Sequence, residues 1–334
     1  MTRPPNSPEI IMILRRLATL LTATLLCFAN LAAGQTFPDK PIRIIVPFGT
    51  GSAVDTIARV VGAQVAEQVG QAVIIDNRTG ANGIIAAEAV ARSAPDGYTL
   101  FMPNDGIMAA NPAMYAKLPY DPLKDFLPVT LFSTVPLVLV VNPAFPAKNL
   151  AELIAMAKGK PDSINFSSTG AGAAQHLAME FFMEASGVRM THVPYKSMGP
   201  ALADVLAGHV PVMFSGMSNV ISLVKDGKLR ALGISTPRRS AAMPDVPTIA
   251  EAGVPGYGYA AWNGVVAPAG TPPEVIRKLH TEFARAIANP SVRAKLSTLG
   301  FELSGDGPVE FGNLIRSDVA RYGKLIRAAG IVAN

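Results

Sequence analysis

The chain has 334 residues, 49% of them hydrophobic, a single cysteine and a formal net charge of +5. That length supports a large buried core divided between two lobes, and the lone Cys27 excludes a disulfide-stapled scaffold or a Cys-ligated zinc site. No Lys/Arg run stands out, so the charge carries no nucleic-acid footprint.

Arg15 and Arg16 precede an apolar run from Leu17 to Ala33, and Ala32-Ala33-Gly34 offers a small-residue cleavage site. Residues 1–34 therefore read as a secretory signal peptide, cleaved near Gly34/Gln35, with Met12 as a more ordinary start. A membrane anchor fits less well, because a span needs about 20 apolar residues. Leu14 and Ala18 flank the arginine pair poorly for twin-arginine export, and Leu26 before Cys27 is not the small residue of a lipoprotein signal. Without Arg3, Arg15, Arg16 and Glu9, 26 basic and 23 acidic residues remain, a mature charge of +3.

After Gln35, strands and helices alternate. Ile42–Val46 is an apolar run suited to a strand buried on both faces. Val54, Ile57, Ala58, Val61 and Val65 follow at helical spacing. Val73–Ile75 and Tyr98–Met102 are the next strands, separated by a helix through about Ala91. Leu137–Val141 is a very apolar strand. Ile164–Phe166, Thr191–Pro194, Val210–Phe214, Arg230–Ile234 and Trp262–Ala267 continue the α/β pattern, and the remainder is mostly helical. Strands separated by helices predict a parallel sheet covered on both faces. Leu137–Val141 is expected to leave the first lobe and the segment around Trp262–Val266 to return to it. The first lobe is thus discontinuous (35–136 and 264–334), the second covers 137–263, and the crossing pair is the hinge.

Two segments read alike, each a strand, a Gly/hydroxyl loop and an amphipathic helix. The first loop is Pro47-Phe48-Gly49-Thr50-Gly51-Ser52, and the second is Ser167-Ser168-Thr169-Gly170-Ala171-Gly172. A helix N-terminus carries unpaired N–H groups and positive dipole, so two such ends suit one anionic ligand. Ser52 and Asp55 form a capping-box pattern. Each loop alone also reads as an ordinary βα turn; the recurrence carries the anion reading.

Arg78, in the loop after the second strand, offers a bidentate partner for a carboxylate, although a lone loop arginine is more often structural. Asn104 and Asp105 follow the third strand and face the same end; Asp105 suits a ligand amine or a turn cap. His176 lies beside an apolar stripe. Lys196 reads as solvent-facing. His192, His209 and His280 lack metal-ligand spacing, and no P-loop, G-x-G-x-x-G, G-x-S-x-G, H-E-x-x-H or S-x-x-K set is present. No metal, cofactor or catalytic residue is expected.

The matching blocks Phe37-Pro38-Asp39-Lys40-Pro41-Ile42, Val46-Pro47-Phe48, Asn77-Arg78-Thr79-Gly80-Ala81 and Ala94-Pro95-Asp96-Gly97-Tyr98-Thr99-Leu100 occur in order. Val193-Pro194-Tyr195-Lys196, Pro244-Asp245-Val246-Pro247-Thr248 and Ala267-Pro268-Ala269-Gly270-Thr271-Pro272 follow. In this order, after a signal peptide, the chain resembles the Bug receptors, the extracytoplasmic solute receptors of tripartite tricarboxylate transporters. The resemblance implies a two-lobed α/β fold of the type II periplasmic-binding-protein class. It implies a non-catalytic periplasmic receptor that binds a small carboxylated solute and hands it to a membrane permease of the tripartite type. It carries binding onto Phe48, Gly49, Thr50, Gly51, Ser52 and Asp55 and onto Ser168, Thr169, Gly170, Ala171 and Gly172. Arg78, Asn104, Asp105, Tyr195 and Ser215 form a second rank of candidates.

Some positions depart from the family pattern. Gly49-Thr50-Gly51-Ser52 replaces a glycine-richer stretch, Ser215 stands where Asp is common, and Ala173 where serine is common. No solute is transferable from a relative on this pattern. A monomer is expected. The alternatives are a sensor that presents ligand to a signalling partner and, with no visible machinery for it, an α/β hydrolytic or transferase enzyme.

Overall fold

The computed structural model describes Met12 and residues 37–332. The expected signal peptide, its cleavage site and Cys27 lie outside the described residues, Met12 apart. Every strand named below belongs to the compact unit that begins at Pro41.

Among the described residues eleven strands form two sheets, and the chain crosses between them twice. The first sheet contains β1 (Ile42–Val46), β2 (Val73–Asn77), β3 (Thr99–Phe101), β4 (Phe126–Val135), β10 (Ala261–Pro268) and β11 (Glu302–Leu303), in the order β11-β4-β10-β3-β1-β2. The second contains β5 (Leu137–Val141), β6 (Asn165–Ser168), β7 (Thr191–Pro194), β8 (Val212–Gly216) and β9 (Arg230–Ile234), in the order β7-β6-β8-β5-β9.

The sheets are mixed, which corrects the all-parallel expectation. β1 runs parallel to β2 and β3, and β6 parallel to β7 and β8. β4 pairs antiparallel with β10, and β5 antiparallel with β8 and β9. The reason is the crossing itself. β5 follows β4 after Pro136 alone and enters its sheet from the edge of the cleft, where the parallel strands end.

Local chemistry explains the helices that frame the site. α1 (Ala53–Val69) starts at Ser52, whose hydroxyl accepts from the Asp55 N–H, and stops at left-handed Gly70. Its stripe of Val54, Ile57, Ala58, Val61 and Val65 is buried. α2 (Ile84–Ala91) and the single turn α3 (Asn111–Met114) complete the first half. In the second sheet α4 (Leu150–Gly159), α5 (Ala174–Ser186), α6 (Met198–Ala207) and α7 (Met217–Lys225) follow successive strands. α8 (Pro273–Ala288), α9 (Pro290–Ser297) and α10 (Pro308–Ala328) close the chain. α10 belongs to both cores: Phe311 and Ile315 pack with Trp262, while Tyr322, Leu325 and Ile326 pack with Phe181 and Phe182. Among the described residues no helix is long and apolar enough to cross a membrane.

Candidate functional site

The loops after β1 and β6 converge on one cleft. Its floor is made by the crossing segments, Val135 and Leu137 on one side and Ala261–Asn263 on the other. One half, about 360 Å³, is bounded by Thr169, Ala171, Gly172 and Asn82. The other, about 380 Å³, is bounded by Ser52, Trp262, Asn263, Ser218, Asn219 and Phe301. Phe48, Asn104, Asp105, Ala174 and Gln175 border both halves. None of the described residues that line either half is Lys, Arg or His. An anion there would be held by N–H and O–H donors and helix N-termini.

The first loop is shaped from below. Asp55 is 1% exposed, and its carboxylate accepts from the Gly51 N–H (2.8 Å), Asn77 Nδ2 (2.8 Å) and Arg59 Nε (3.0 Å). Burial pushes the Asp55 carboxyl up, but the bonds from Arg59, Gly51 and Asn77 outweigh it and hold it below the usual carboxylate range. Asn77 also donates to the Phe48 carbonyl, and the Thr50 hydroxyl donates to Asn77 Oδ1 (3.4 Å). Asp55 thus sits under the loop rather than in the cleft, with both oxygens occupied.

The second loop rests on two histidines. Ser168 Oγ meets His192 Nε2 at 2.6 Å and accepts from the Gly170 N–H. The Gly172 N–H donates to His176 Nδ1 at 3.1 Å, which leaves Nε2 to carry the proton toward Glu180 Oε1 at 3.1 Å. The Thr169 hydroxyl donates to Gln175 Oε1 at 3.0 Å, and Gln175 lines the cleft. Gly172 has φ +73°, and a Cβ there would lie 2.5 Å from Met114 Sδ, so this turn favours glycine.

Asp105 is buried at the junction of the two halves. Its Oδ2 accepts from the Tyr259 hydroxyl (2.9 Å) and the Tyr322 hydroxyl (3.0 Å). Burial pushes its carboxyl up to about 6, against the lowering effect of the Tyr259 bond. The knot ties the segment after β3 to the return crossing and to α10.

Of the sequence-predicted residues, Phe48, Ser52, Asn104, Asp105, Thr169, Ala171 and Gly172 line the cleft. Gly49, Thr50, Gly51, Ser168 and Gly170 belong to the two loops without bordering either half. Arg78 is bonded to Asp76 through both Nε (3.2 Å) and an Nη (3.1 Å). Tyr195 donates to Asp204, and the Ser215 hydroxyl is buried against Met198 Sδ; neither borders the cleft. Sequence reasoning missed Asn82, Gln175, Ser218, Asn219, Trp262 and Asn263 as lining residues. They belong to no motif, and the usable signal was position alone: each lies within a few residues of a strand's cleft end or on the return crossing.

Residues 57–331 match the model of the family described as tripartite tricarboxylate transporter family receptor. The chain is 37% identical over 301 residues to a UPF0065 protein from the tcbD-tcbE intergenic region of Pseudomonas sp. strain P51, covering 90% of this chain and 89% of that protein. It is 35% identical over 299 residues to BugT of Bordetella pertussis, covering 89% and 92%. Among solved structures, R. palustris Rpa4515 with adipate superposes with a TM-score of 0.75 at 36% identity, covering 89% of this chain and 99% of that one. MatC of Rhodopseudomonas palustris with bound malate gives 0.72 at 34% identity, covering 87% and 100%.

Proposed function

Because the chain belongs to the tripartite tricarboxylate transporter receptor family, and is on that ground a solute-binding receptor and not an enzyme, we propose that it captures a small carboxylated solute between its two sheets and delivers it to a membrane permease of the tripartite type. The observation that carries this reading is the pair of Gly/hydroxyl loops, Phe48–Ser52 and Ser168–Gly172, at one cation-free cleft. A buried carboxylate without a fixed cation needs several N–H and O–H donors, and these loops supply them. The adipate and malate in the two related structures are consistent with the same chemistry. The two sheets act as lobes that hinge at Pro136 and at the return before β10. The solute favours the closed form by binding it more tightly than the open one. Within this reading the mature protein works in the periplasm as a monomer.

A thermal-shift screen of ligand-stripped protein against carboxylates and amino acids tests the proposal. A saturable rise in Tm for one acid is expected, with loss of that rise in Thr169→Ala and Ser52→Ala proteins. Flat curves for every acid in folded, empty protein overturn it.

A further inference from the structure

The cleft floor holds one polar side chain whose hydrogen-bonding capacity is unspent. Asn263 is 5% exposed and borders the cleft. Its backbone is placed by β10, where it pairs with Ser133, but its carboxamide has no hydrogen-bond partner among the described residues. Neither amide atom is fully sealed from solvent, and the residue lines the cleft. The β4–β10 register slips between Asn263 and Gly264, placing an extra β4 residue, Phe132, between Ser133 and Leu131. Such bulges re-aim side chains beside functional sites. Ser133, directly across from Asn263, has a buried hydroxyl that is also without a partner among the described residues. A buried amide without partners is costly, and a ligand group that satisfies it gains specificity against one that does not.

The surroundings decide what that group is. This half of the cleft is lined by the apolar Val135, Leu137, Trp262 and Phe301 and by the neutral polar Ser52, Asn104, Gln175, Ser218 and Asn219, Asn104 forming a β-bridge with Asn263. Among the described residues the only ionisable one that lines the cleft is Asp105, an acid. One solute carboxylate is met by the donors of the two loops. A second, seated at the floor, would find no cation and a like-charged neighbour. We propose that Asn263 is a specificity-determining residue, and that the solute carries at this end an uncharged donor–acceptor group, a carboxamide or hydroxyl, in place of a second carboxylate. The proposal rests on the carboxylate reading above.

Calorimetric titration of the mature protein at neutral pH separates the cases. The probes are the half-amides succinamate, glutaramate and adipamate, the dicarboxylates succinate, glutarate and adipate, and the monocarboxylates butanoate, pentanoate and hexanoate. The best half-amide is expected to bind about tenfold tighter than the dicarboxylate and the monocarboxylate of its length. Asn263→Leu is expected to erase that preference, the half-amide falling to the affinity of the monocarboxylate of its length in the same protein. Should Asn263→Leu protein fail to fold, Asn263→Ser, which shortens the side chain without adding bulk, serves the same comparison. A dicarboxylate that equals its half-amide, or a preference that survives substitution of Asn263, overturns the proposal and leaves the receptor reading standing. No binding of any probe overturns the carboxylate reading, and this proposal with it.

Discussion

The imidazole rings of His176 and His192 stack 3.9 Å apart, within 8° of parallel, beneath the second Gly/hydroxyl loop. Phe166 lies against both rings. Burial and the neighbouring His176 push the His192 imidazole down to about 4. A histidine depressed in the folded state binds its proton more readily when unfolded. Its contribution to stability is therefore complete above about 6.5, the unfolded value, and is lost as pH falls toward about 4. Asp105 runs the other way: its raised carboxyl, at about 6, destabilises the fold as pH rises from about 4 through about 6. Thermal unfolding of wild-type and His192→Gln proteins from neutral pH to pH 4 isolates the histidine. The wild type is expected to lose Tm more steeply over that window, by the equivalent of up to about one proton. Parallel curves contradict it.

Asp55 holds the first loop in shape, and the proposed solute site depends on that loop. Replacing it with alanine strips partners from the Gly51 N–H and from Asn77. The expected loss is about 2–3 kcal/mol in urea denaturation, with the half-exposed Arg59 contributing little, together with weaker solute binding. Unchanged affinity in the folded variant would show that the first loop keeps its shape without the carboxylate.

Gly264 leaves no room for a side chain. A Cβ there would lie 2.3 Å from the Phe311 ring and 2.9 Å from the Thr130 carbonyl oxygen. Gly264→Ala is expected to cost about 1–3 kcal/mol by calorimetry. Because the clash sits at the bulge beside Asn263, solute affinity should fall in the same protein.

The Tyr322 hydroxyl supports Asp105 from α10. Tyr322→Phe leaves the ring packed against Phe181 but removes one of the two hydroxyl bonds to Oδ2. The expected cost is about 1–2 kcal/mol in chemical denaturation. A titration of the Asp105 carboxyl followed by NMR should move upward, since a bond that favours the charged form is gone.

The fold class was legible because buried apolar runs such as Ile42–Val46 and Leu137–Val141 each lead through a short loop into a helix, the first of them through a Gly/hydroxyl loop. Strand direction was not, because a doubly buried strand reads the same either way along the chain. β4 escaped notice because Pro128, Thr130, Ser133 and Thr134 interrupt its apolar run; pairing with β10 overrides that weak propensity. In the site, the loops were visible through glycine and hydroxyl content, and the Ser52–Asp55 cap through its spacing. The neutral amides of Gln175 and Asn263 were not, since an asparagine in a strand or a glutamine in a helix gains its role only from what folds around it.

Trp262 is the chain's one tryptophan, it borders the cleft, and its indole N–H is fixed to Asp318 Oδ2 at 2.8 Å. Tryptophan emission from the whole protein therefore originates at a single, rigidly held point on the wall of the cleft. The molecule comes with its own optical gauge, and filling of the cleft can be followed in real time without attaching a dye.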